Sequence, residues 1–360
     1  MRKTEILKFL DKKKVLVTGH TGFKGSWMIS ILYSLNCEIY GISHKQFKNK
    51  YNYKFVKKYL KRECFFDLSN FNKTKKIINT IKPDIIFHFA AQALVFTSYK
   101  YPMQTFQNNL NSTLSILETL RFYKHRIISI FITSDKVYEN KELNKSFVES
   151  DTLKGDDPYS CSKVATEMAL NSYFKTFKDN KKLSFAITRA GNVIGGGDWA
   201  NDRIVPDAYK SWYNDNLLMI RSPNSTRPWQ HVLEPLYGYI LLAYKLSTSK
   251  KINGEAFNFG PSKKNNATVS LLINNLSKRW SDKKIFKEKL SNKYFEHKLL
   301  SLNSKKSKNI LGWKSVLTIN ETCSLIHDWY NLNLKSSGNL LEMDNLIKNQ
   351  IKFYENKFFK

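Results

Sequence analysis

Apolar and polar positions follow two different rhythms along the first half of the chain. Short, almost continuous apolar runs are typical of strands buried in a parallel sheet; they lie at 14–19, 38–43, 64–68, 85–91, 127–134 and 184–193. The stretches between them repeat their apolar residues every three or four positions, which predicts helices at 24–36, 71–82, 103–123 and 159–178. Strands that alternate with helices predict an α/β fold with a doubly wound parallel sheet.

The rhythm changes after Asn192, where "GGGDW", several prolines and shorter apolar runs follow. We therefore predict a first domain at 1–190 and a smaller α/β lobe at 191–333. The remaining segment, 334–360, has Leu340, Met343 and Ile347 at helical spacing. This spacing predicts an amphipathic helix that packs on the body of the protein or on a neighbour.

Composition limits the class of protein. A chain of 360 residues with 42% hydrophobic residues can form a core without covalent links. Its cysteines have no C-x-x-C spacing, which predicts free thiols in a reducing compartment; they are Cys37, Cys64, Cys161 and Cys323. No apolar run approaches the roughly 18 residues of a spanning helix, and charges interrupt the N-terminal segment. We expect a cytoplasmic protein without a membrane span.

The net charge of +29 raises the question of a nucleic-acid partner. Lysine and arginine are spread along the chain rather than gathered in one arm or block. We interpret them as a lysine-rich solvated surface and expect no nucleic acid, with steering of a small anion and a role at a membrane surface as alternatives. The scattered histidines and cysteines predict no metal site.

Three glycines follow the first predicted strand in "VLVTGHTGFKGSW". Gly19 allows a tight turn, Gly22 lets a diphosphate approach the backbone, and Gly25 lets the next helix pack closely on the strand. The start of that helix favours negative charge. The spacing is G-x-x-G-x-x-G, and it predicts a Rossmann-like dinucleotide site, with a simple tight turn as the alternative.

Residues near the next two strand ends bear on the choice of dinucleotide. Asp67 is placed to accept a hydrogen bond from an adenine amino group, or alternatively to cap the helix predicted at 71–82. The end of the second strand has His44 and Lys45 but no carboxylate for a ribose diol. The choice between NAD and NADP therefore stays open on physical grounds.

Two further segments have groups that can move protons. Tyr159 and Lys163 are four residues apart and share one helix face. A lysine ammonium beside a phenol lowers the tyrosine pKa from about 10, so that the tyrosine can accept a proton from an alcohol. "FITSDKVYEN" ends a buried strand with Ser134, Asp135 and Lys136, which form either an ordinary turn or a second proton-transfer group.

Together these segments resemble the extended short-chain dehydrogenase/reductase superfamily. "TSDKVYENKE", "DPYSCSK", "RAGNVIGGGDWANDRIVPD" and "RPWQHVLEPLYGYILLA" look very like the CDP-glucose 4,6-dehydratases of the NDP-sugar dehydratase branch, over about residues 13–330. The resemblance implies an NAD cofactor and a nucleotide-sugar substrate. It also implies a homodimer or higher homo-oligomer, paired through helices 103–123 and 159–178.

Enzymes of this type transiently oxidise a nucleotide-activated hexose at C4, remove water across C5–C6 and return hydride to C6. The resemblance implies that Tyr159, helped by Lys163, takes the proton of the 4-hydroxyl. Ser134 would bind the C4 oxygen, Asp135 would be the acid for the C6 hydroxyl, and Lys136 the base for C5. A lysine base must be neutral, which burial and nearby positive charge favour. Alternatively, Lys136 only pairs with Asp135 or Glu139.

The resemblance also assigns binding residues. For the cofactor they are Gly19, Thr21, Gly22, Phe23, Gly25, Asp67, Leu68, Ala90, Ala91, Tyr159 and Lys163. For the substrate they are Gln92, Asn192, Asp198, Trp199, Arg203, Arg227, Trp229 and His231. A guanidinium can hold two phosphate oxygens, so Arg227 is the candidate diphosphate clamp. For His231 and the two tryptophans the alternative is a place in the core.

Two segments depart from the family pattern. Residues 143–150 read "LNKSFVES", and Phe96 stands where arginine is common. Both are expected near the sugar pocket, so the hexose and the nucleotide base stay open. The alternatives are another short-chain nucleotide-sugar epimerase or reductase, and a non-catalytic dinucleotide-binding regulator.

Overall fold

The computed structural model describes residues 3–44, 52–142, 145–177, 179–180, 182–262, 267–280, 286–288, 300–335 and 339–360. Lys45 and positions 143–144, which entered the sequence predictions, lie outside these ranges.

The strands in chain order are β1 (Lys14–Thr18), β2 (Glu38–Ser43), β3 (Leu60–Phe65), β4 (Ile85–His88), β5 (Ile127–Ile132), β6 (Leu183–Ala190), β7 (Val193–Ile194), β8 (Leu218–Ile220), β9 (Thr226–Arg227), β10 (Gln230–His231), β11 (Ala256–Phe259), β12 (Ala267–Thr268) and β13 (Phe286–Glu288). Seven of them form a sheet in the order β11-β6-β5-β4-β1-β2-β3. All its pairs are parallel. The doubly wound parallel sheet is therefore confirmed.

The α-helices are α1 (Lys3–Leu10), α2 (Phe23–Ser34), α3 (Tyr53–Val56), α4 (Phe71–Ile81), α5 (Val95–Lys100), α6 (Pro102–Phe106), α7 (Ser112–Arg121), α8 (Pro158–Thr176), α9 (Ile204–Tyr213), α10 (Leu233–Thr248), α11 (Val269–Trp280), α12 (Lys305–Leu311), α13 (Ile319–Lys335) and α14 (Leu340–Phe358). A π-helical turn at Gln107–Asn111 joins α6 to α7, so the helix predicted at 103–123 is interrupted. Short 3-10 turns lie at Lys57–Tyr59, Asp135–Val137 and Lys250–Ile252.

Successive residues of the strands pack on opposite faces of the sheet. On β1, Val15 and Val17 join one apolar cluster with α2 and α10, while Leu16 joins another with α4 and α7. Strands that are buried on both faces read as continuous apolar runs, which is why the sequence pattern located them.

The third strand is shifted from its predicted position at 64–68. The structure places β3 at Leu60–Phe65, where Lys61 and Arg62 are exposed. Within the described residues this strand lies at the edge of the sheet and has β2 as its one neighbour. Edge strands tolerate charged residues, so the apolar pair Phe65-Phe66 drew the prediction towards the wrong residues.

The C-terminal helix α14 packs on the body of the protein through Met343, Ile347, Ile351 and Tyr354, as its apolar spacing predicts. Within the part of the chain that the structure describes, no helix has both the length and the apolar composition that a membrane crossing requires.

Candidate active site

A cavity of about 400 Å³ opens at the carboxyl ends of the sheet strands and is closed on its other side by segments from the second half of the chain. Ligands of open parallel sheets bind at this edge. The predicted site residues that line it are Ser134, Asp135, Lys136, Tyr159, Asn192, Asp198, Arg203, Arg227 and Trp229. Both candidate proton-transfer groups therefore face one space.

The glycine turn between β1 and α2 has the geometry that a diphosphate needs. Gly19 has φ +69°, and a Cβ there would lie 2.7 Å from the Ala90 backbone nitrogen. A Cβ on Gly25 would lie 2.3 Å from the Gly19 carbonyl oxygen. Gly22 caps α2 without a side-chain hydrogen bond, and the first turn has no acidic residue. The first N–H groups of α2 thus suit a dinucleotide diphosphate.

The other predicted cofactor residues surround this turn. The Thr21 backbone N–H donates to Ser43 Oγ at 3.2 Å. Asp67 is exposed, and its Oδ1 accepts from the Ser69 backbone N–H at 2.8 Å. The α4 cap is Asn70, not Asp67, so the capping alternative is wrong. Phe23 and Leu68 are buried, and Ala90 and Ala91 lie two and three residues after the end of β4.

Helix α8 presents Tyr159 and Lys163 to the edge of the sheet. Asp157 caps its N-terminus by accepting from the Ser160 backbone N–H at 3.0 Å, and Pro158 occupies the first turn. The buried Lys163 donates from Nζ to the Ile132 carbonyl at 3.2 Å. Burial lowers the pKa of Lys163 to about 8.

The pKa of Tyr159 differs from the sequence prediction. Burial raises it to about 12; a hydrogen bond with Ser134 acts to lower it, and the charge of Asp135 acts to raise it. We predicted that Lys163 would lower this pKa. In the structure the loss of hydration outweighs the charges, and the Lys163 ammonium is bonded to a backbone carbonyl.

The turn after β5 holds its three polar residues together. Ser134 Oγ accepts from the Lys136 backbone N–H and donates to Asp135 Oδ1, both at 3.2 Å. Asp135 is only 4% exposed. Burial raises its pKa, against the opposing charges of Lys136, Lys24 and Arg227. This shift is in the direction that a proton donor requires.

Lys136 lies half-buried on the wall of the cavity. Glu139, one of the partners considered for it, pairs instead with Lys141 at 3.3 Å and Lys154 at 3.8 Å. Among the described residues the Lys136 side-chain nitrogen forms no ion pair, and because Lys136 lines the cavity it can contact a bound molecule.

The opposite wall carries the charged residues expected to bind substrate. Arg203 Nη1 donates to Asp198 Oδ2 at 2.7 Å, and Asp198 is buried. Trp229 Nε1 donates to the Ala267 carbonyl at 3.0 Å while its ring borders the cavity. Arg227 borders the cavity beside them.

Three predicted substrate residues do not line the cavity. The Gln92 amide nitrogen bonds to the Leu94 carbonyl and to Thr105 Oγ1, both at 3.0 Å. His231 is fully buried, and burial lowers its pKa to about 3. Trp199 packs edge-on against Trp329 and Tyr330. For His231 and Trp199 the structure fits the alternative of a core position.

Two residues were missed by the sequence reading. Lys24, inside the glycine turn, lines the cavity, and burial, followed by the charge of Arg203, lowers its pKa to about 8. Asn109, in the π-helical turn, accepts from the Gln92 backbone N–H at 2.7 Å and donates to Ser162 Oγ at 2.8 Å. The signals were a lysine between two functional glycines and a polar residue on the apolar side of a helix.

Known proteins are similar to this chain in both sequence and fold. The family model for GDP-mannose 4,6 dehydratase matches residues 16–326. The CDP-glucose 4,6-dehydratase of Salmonella typhimurium is 35% identical over 92% of this chain and 94% of the relative. The dTDP-D-glucose 4,6-dehydratase of Dictyostelium discoideum is 27% identical over 69% of this chain and 58% of the relative.

Solved structures agree with this fold. The dTDP-glucose 4,6-dehydratase of Bacillus anthracis in complex with NAD has a TM-score of 0.77 at 21% identity, covering 89% of this chain and 97% of that one. A UDP-glucuronic acid 4-epimerase of Bacillus cereus, in complex with UDP-glucuronic acid and NAD, also has a TM-score of 0.77, at 22% identity and 88% and 99% coverage. The present chain belongs to the NDP-sugar 4,6-dehydratases, within the extended short-chain dehydrogenase/reductase family.

Proposed function

We propose that the protein converts CDP-D-glucose to CDP-4-dehydro-6-deoxy-D-glucose. The observation that carries this proposal is the placement of Asp135 and Lys136 on the same cavity wall as Tyr159. An oxidation alone needs only the tyrosine and lysine of α8. Elimination of water needs a second acid and base, which this turn supplies.

The residues act on different atoms of the sugar. Tyr159 would accept the proton of the 4-hydroxyl as a phenolate, a form that the positive charge of a bound oxidised nicotinamide favours against the burial that raises its pKa. Ser134, which is hydrogen-bonded to Tyr159, would hold the C4 oxygen. The resulting ketone acidifies the C5 hydrogen, which Lys136 removes as a proton. Asp135, whose pKa burial raises, would give its proton to the departing 6-hydroxyl, which leaves as water. The net change is the loss of one water molecule.

Bound NAD would supply the acceptor for the C4 hydride and the donor for its return to C6, so that no cofactor is consumed. In that last step Lys136 would return the proton to C5, and the proton that Tyr159 gained balances the one that Asp135 gave up. The glycine turn suits its diphosphate through the uncapped start of α2. Asp67 would receive the adenine amino group, and Lys163 would hold the nicotinamide half beside Tyr159. Thr21, Phe23, Leu68, Ala90 and Ala91 would complete the walls of this site.

The cytidine nucleotide rests on the relative of 35% identity, which is a CDP-glucose 4,6-dehydratase. Arg227 and Arg203 would hold the diphosphate, with Asn192 and Trp229 beside the nucleotide. Asp198 would orient Arg203 through the 2.7 Å bond between them.

The test is incubation of the purified protein with CDP-glucose and, separately, with the UDP, GDP and dTDP sugars. We expect a 4-keto-6-deoxy product from CDP-glucose without net consumption of cofactor. Formation of reduced cofactor in proportion to substrate would instead indicate a simple dehydrogenase. A product with inverted configuration at one sugar carbon would indicate an epimerase, and no reaction with any sugar would favour a binding protein.

We further propose a homodimer that pairs through the α6–α7 and α8 region. Met103 on α6 is 72% exposed and Met168 on α8 is 61% exposed. Apolar side chains so exposed on neighbouring helices are typical of a protein interface. A cytoplasmic location also stays a prediction.

A further inference from the structure

A buried ion pair lies behind the candidate active site. Glu167 on α8 and Arg189 on β6 have side chains that are 0% and 4% exposed. Arg189 Nε donates to Glu167 Oε1 at 2.9 Å, and Arg189 Nη2 donates to Glu167 Oε2. Neither residue borders the cavity or is needed for any step described above.

The pair is bonded to both ends of the turn that carries the second acid and base. On one side, Thr133 Oγ1 donates to Glu167 Oε1 at 2.6 Å. On the other, Arg189 Nη1 donates to the Tyr138 hydroxyl at 2.8 Å. Thr133 directly precedes Ser134, and Tyr138 directly follows the 3-10 turn at Asp135–Val137. The three polar residues of the turn are thus held between these two bonds.

The same pair is fixed to the helix that carries the first proton-transfer group. Glu167 lies four residues after Lys163 on α8, which places the two side chains one helical turn apart. The charge of Glu167 acts on Lys163 directly and opposes the lowering of its pKa. The Glu167 carboxylate therefore connects α8 to the turn.

A further set of bonds keeps Tyr138 in place. Its hydroxyl donates to Asn258 Oδ1 on β11 at 2.7 Å. Asn258 Nδ2 donates to the Phe147 carbonyl at 3.0 Å, and Arg189 Nη1 donates to the Glu149 carbonyl at the same distance. The described part of the segment that departs from the family pattern is thus attached to the same ion pair.

We propose that Glu167 and Arg189 are positioning residues that set the turn 134–136 against Tyr159 and Lys163. This inference rests on the proposed function. The ion pair would hold both proton-transfer groups at fixed positions around one bound sugar, so that oxidation at C4 and loss of water across C5–C6 follow each other without a change in their arrangement. Without it, α8 keeps its own supports, namely the Asp157 cap and the bond from Asn109 to Ser162. The turn does not.

The test uses Thr133→Val and Tyr138→Phe, which each remove one hydroxyl and leave the ion pair intact. Glu167 Oε1 still accepts from Arg189 Nε, and Arg189 Nη1 still donates to the Glu149 carbonyl. Displacement of catalytic groups by about 1 Å can slow a reaction on the order of 100-fold, and we expect turnover of CDP-glucose to fall by up to that factor. The fraction of nicotinamide found reduced at steady state should rise, because elimination slows more than oxidation.

The matched control is Glu234→Gln. Glu234 is a second buried carboxylate; it accepts from the Leu317 backbone N–H at 2.7 Å and from the Tyr354 hydroxyl at 2.8 Å, and it does not line the cavity. This variant should unfold at a lower temperature than the parent but keep the parent's fraction of reduced nicotinamide. A rise in the control equal to that in the two test variants would overturn the proposal, as would parental kinetics in both test variants.

Backbone hydrogen exchange measures how firmly the turn 134–136 is held, and it does not depend on turnover. Both test variants should raise exchange at 134–138 and leave α8 as in the parent. Equal exchange in variant and parent would overturn the proposal even if the protein dehydrated no sugar. Failure of the parent to form a 4-keto-6-deoxy product would count against the proposed function alone.

Discussion

Replacement of two glycines in the first turn by alanine should separate packing from cofactor binding. At Gly25 the new Cβ would lie 2.3 Å from the Gly19 carbonyl oxygen and 2.9 Å from the His20 Cα. The first of these distances is about 1 Å shorter than van der Waals contact. Both neighbours are backbone atoms, so relief requires α2 to move away from the end of β1.

Two opposing effects set the change in the free energy of unfolding for Gly25→Ala. Overpacking costs about 1–3 kcal/mol, and the neighbours here are backbone atoms that cannot move aside alone, so the upper part of that range, about 2–3 kcal/mol, applies. Alanine in a helix recovers about 1 kcal/mol relative to glycine. Gly25→Ala should therefore lower the free energy of unfolding by about 1–2 kcal/mol, and the unfolding midpoint by about 1–3 °C for a chain of this size. NAD affinity should fall as well, because the turn itself is displaced.

Gly22→Ala is the matched variant. Gly22 has φ −77° and ψ 175°, which alanine adopts without strain, and its Cβ would meet only the Gly19 carbonyl oxygen, at 3.2 Å. Stability should stay within about 0.5 kcal/mol of the parent. The methyl group would stand at the start of α2, where the diphosphate is expected, so NAD should bind at least tenfold more weakly, or about 1.4 kcal/mol.

The assays are thermal unfolding without added cofactor and titration of each variant with NAD. Parental NAD affinity in Gly22→Ala would show that the diphosphate does not lie against this turn. A parental unfolding midpoint in Gly25→Ala would show that close packing of helix on strand is not required. A fall of both quantities in both variants would refute the separation.

Other substitutions address the acid, the buried lysine and the oligomer. Asp135→Asn cannot donate as an acid, so turnover should fall on the order of 10²–10⁴-fold while reduced nicotinamide still forms on mixing with CDP-glucose; unchanged turnover would exclude Asp135 as the acid. The pKa of Lys163, about 8 when folded, lies below its ordinary 10.5, so the folded protein binds fewer protons between these values and stability should rise with pH across that window. Lys163→Met should show a shallower rise in unfolding midpoint from pH 8 to 10.5, and an equal rise would contradict burial as the cause. Met168→Glu should weaken self-association, measured as the fraction of dimer in sedimentation experiments, whereas the control Leu340→Glu should not; Leu340 is 58% exposed on α14. The same fraction of dimer in both variants would argue against pairing through α8.

The fold could be predicted wherever burial is continuous. Strand β2 occupies Glu38–Ser43, the range that its apolar run indicated, because it is covered on both faces. The range predicted for β3 was wrong by several residues because an edge strand needs less apolar sequence than a central one. The strand β11 (Ala256–Phe259), which completes the seven-stranded sheet, is short and lies outside the first predicted domain. Its place beside β6 depends on tertiary packing, which has no local signal.

The site was predictable where strand ends fix side-chain positions. Ser134 and Asp135 lie two and three residues after the end of β5, so their place at the sheet edge follows from topology. Gln92 also follows a strand of the sheet, four residues after the end of β4, yet its amide nitrogen donates to the Leu94 carbonyl and to Thr105 Oγ1. The direction of a side chain in a loop depends on which donors and acceptors the fold brings near it, and sequence spacing does not contain that information.

The departure at Phe96 illustrates the difference between a residue and its role. Arginine is common at this position in the dehydratases that the chain resembles. Here the guanidinium of Arg221, which follows β8, lies 4.3 Å from the centre of the Phe96 ring, and both side chains line the cavity. An arginine stacked on an aromatic face keeps its N–H edges free for an anion. Arg221 therefore supplies positive charge beside Phe96 at this end of the cavity.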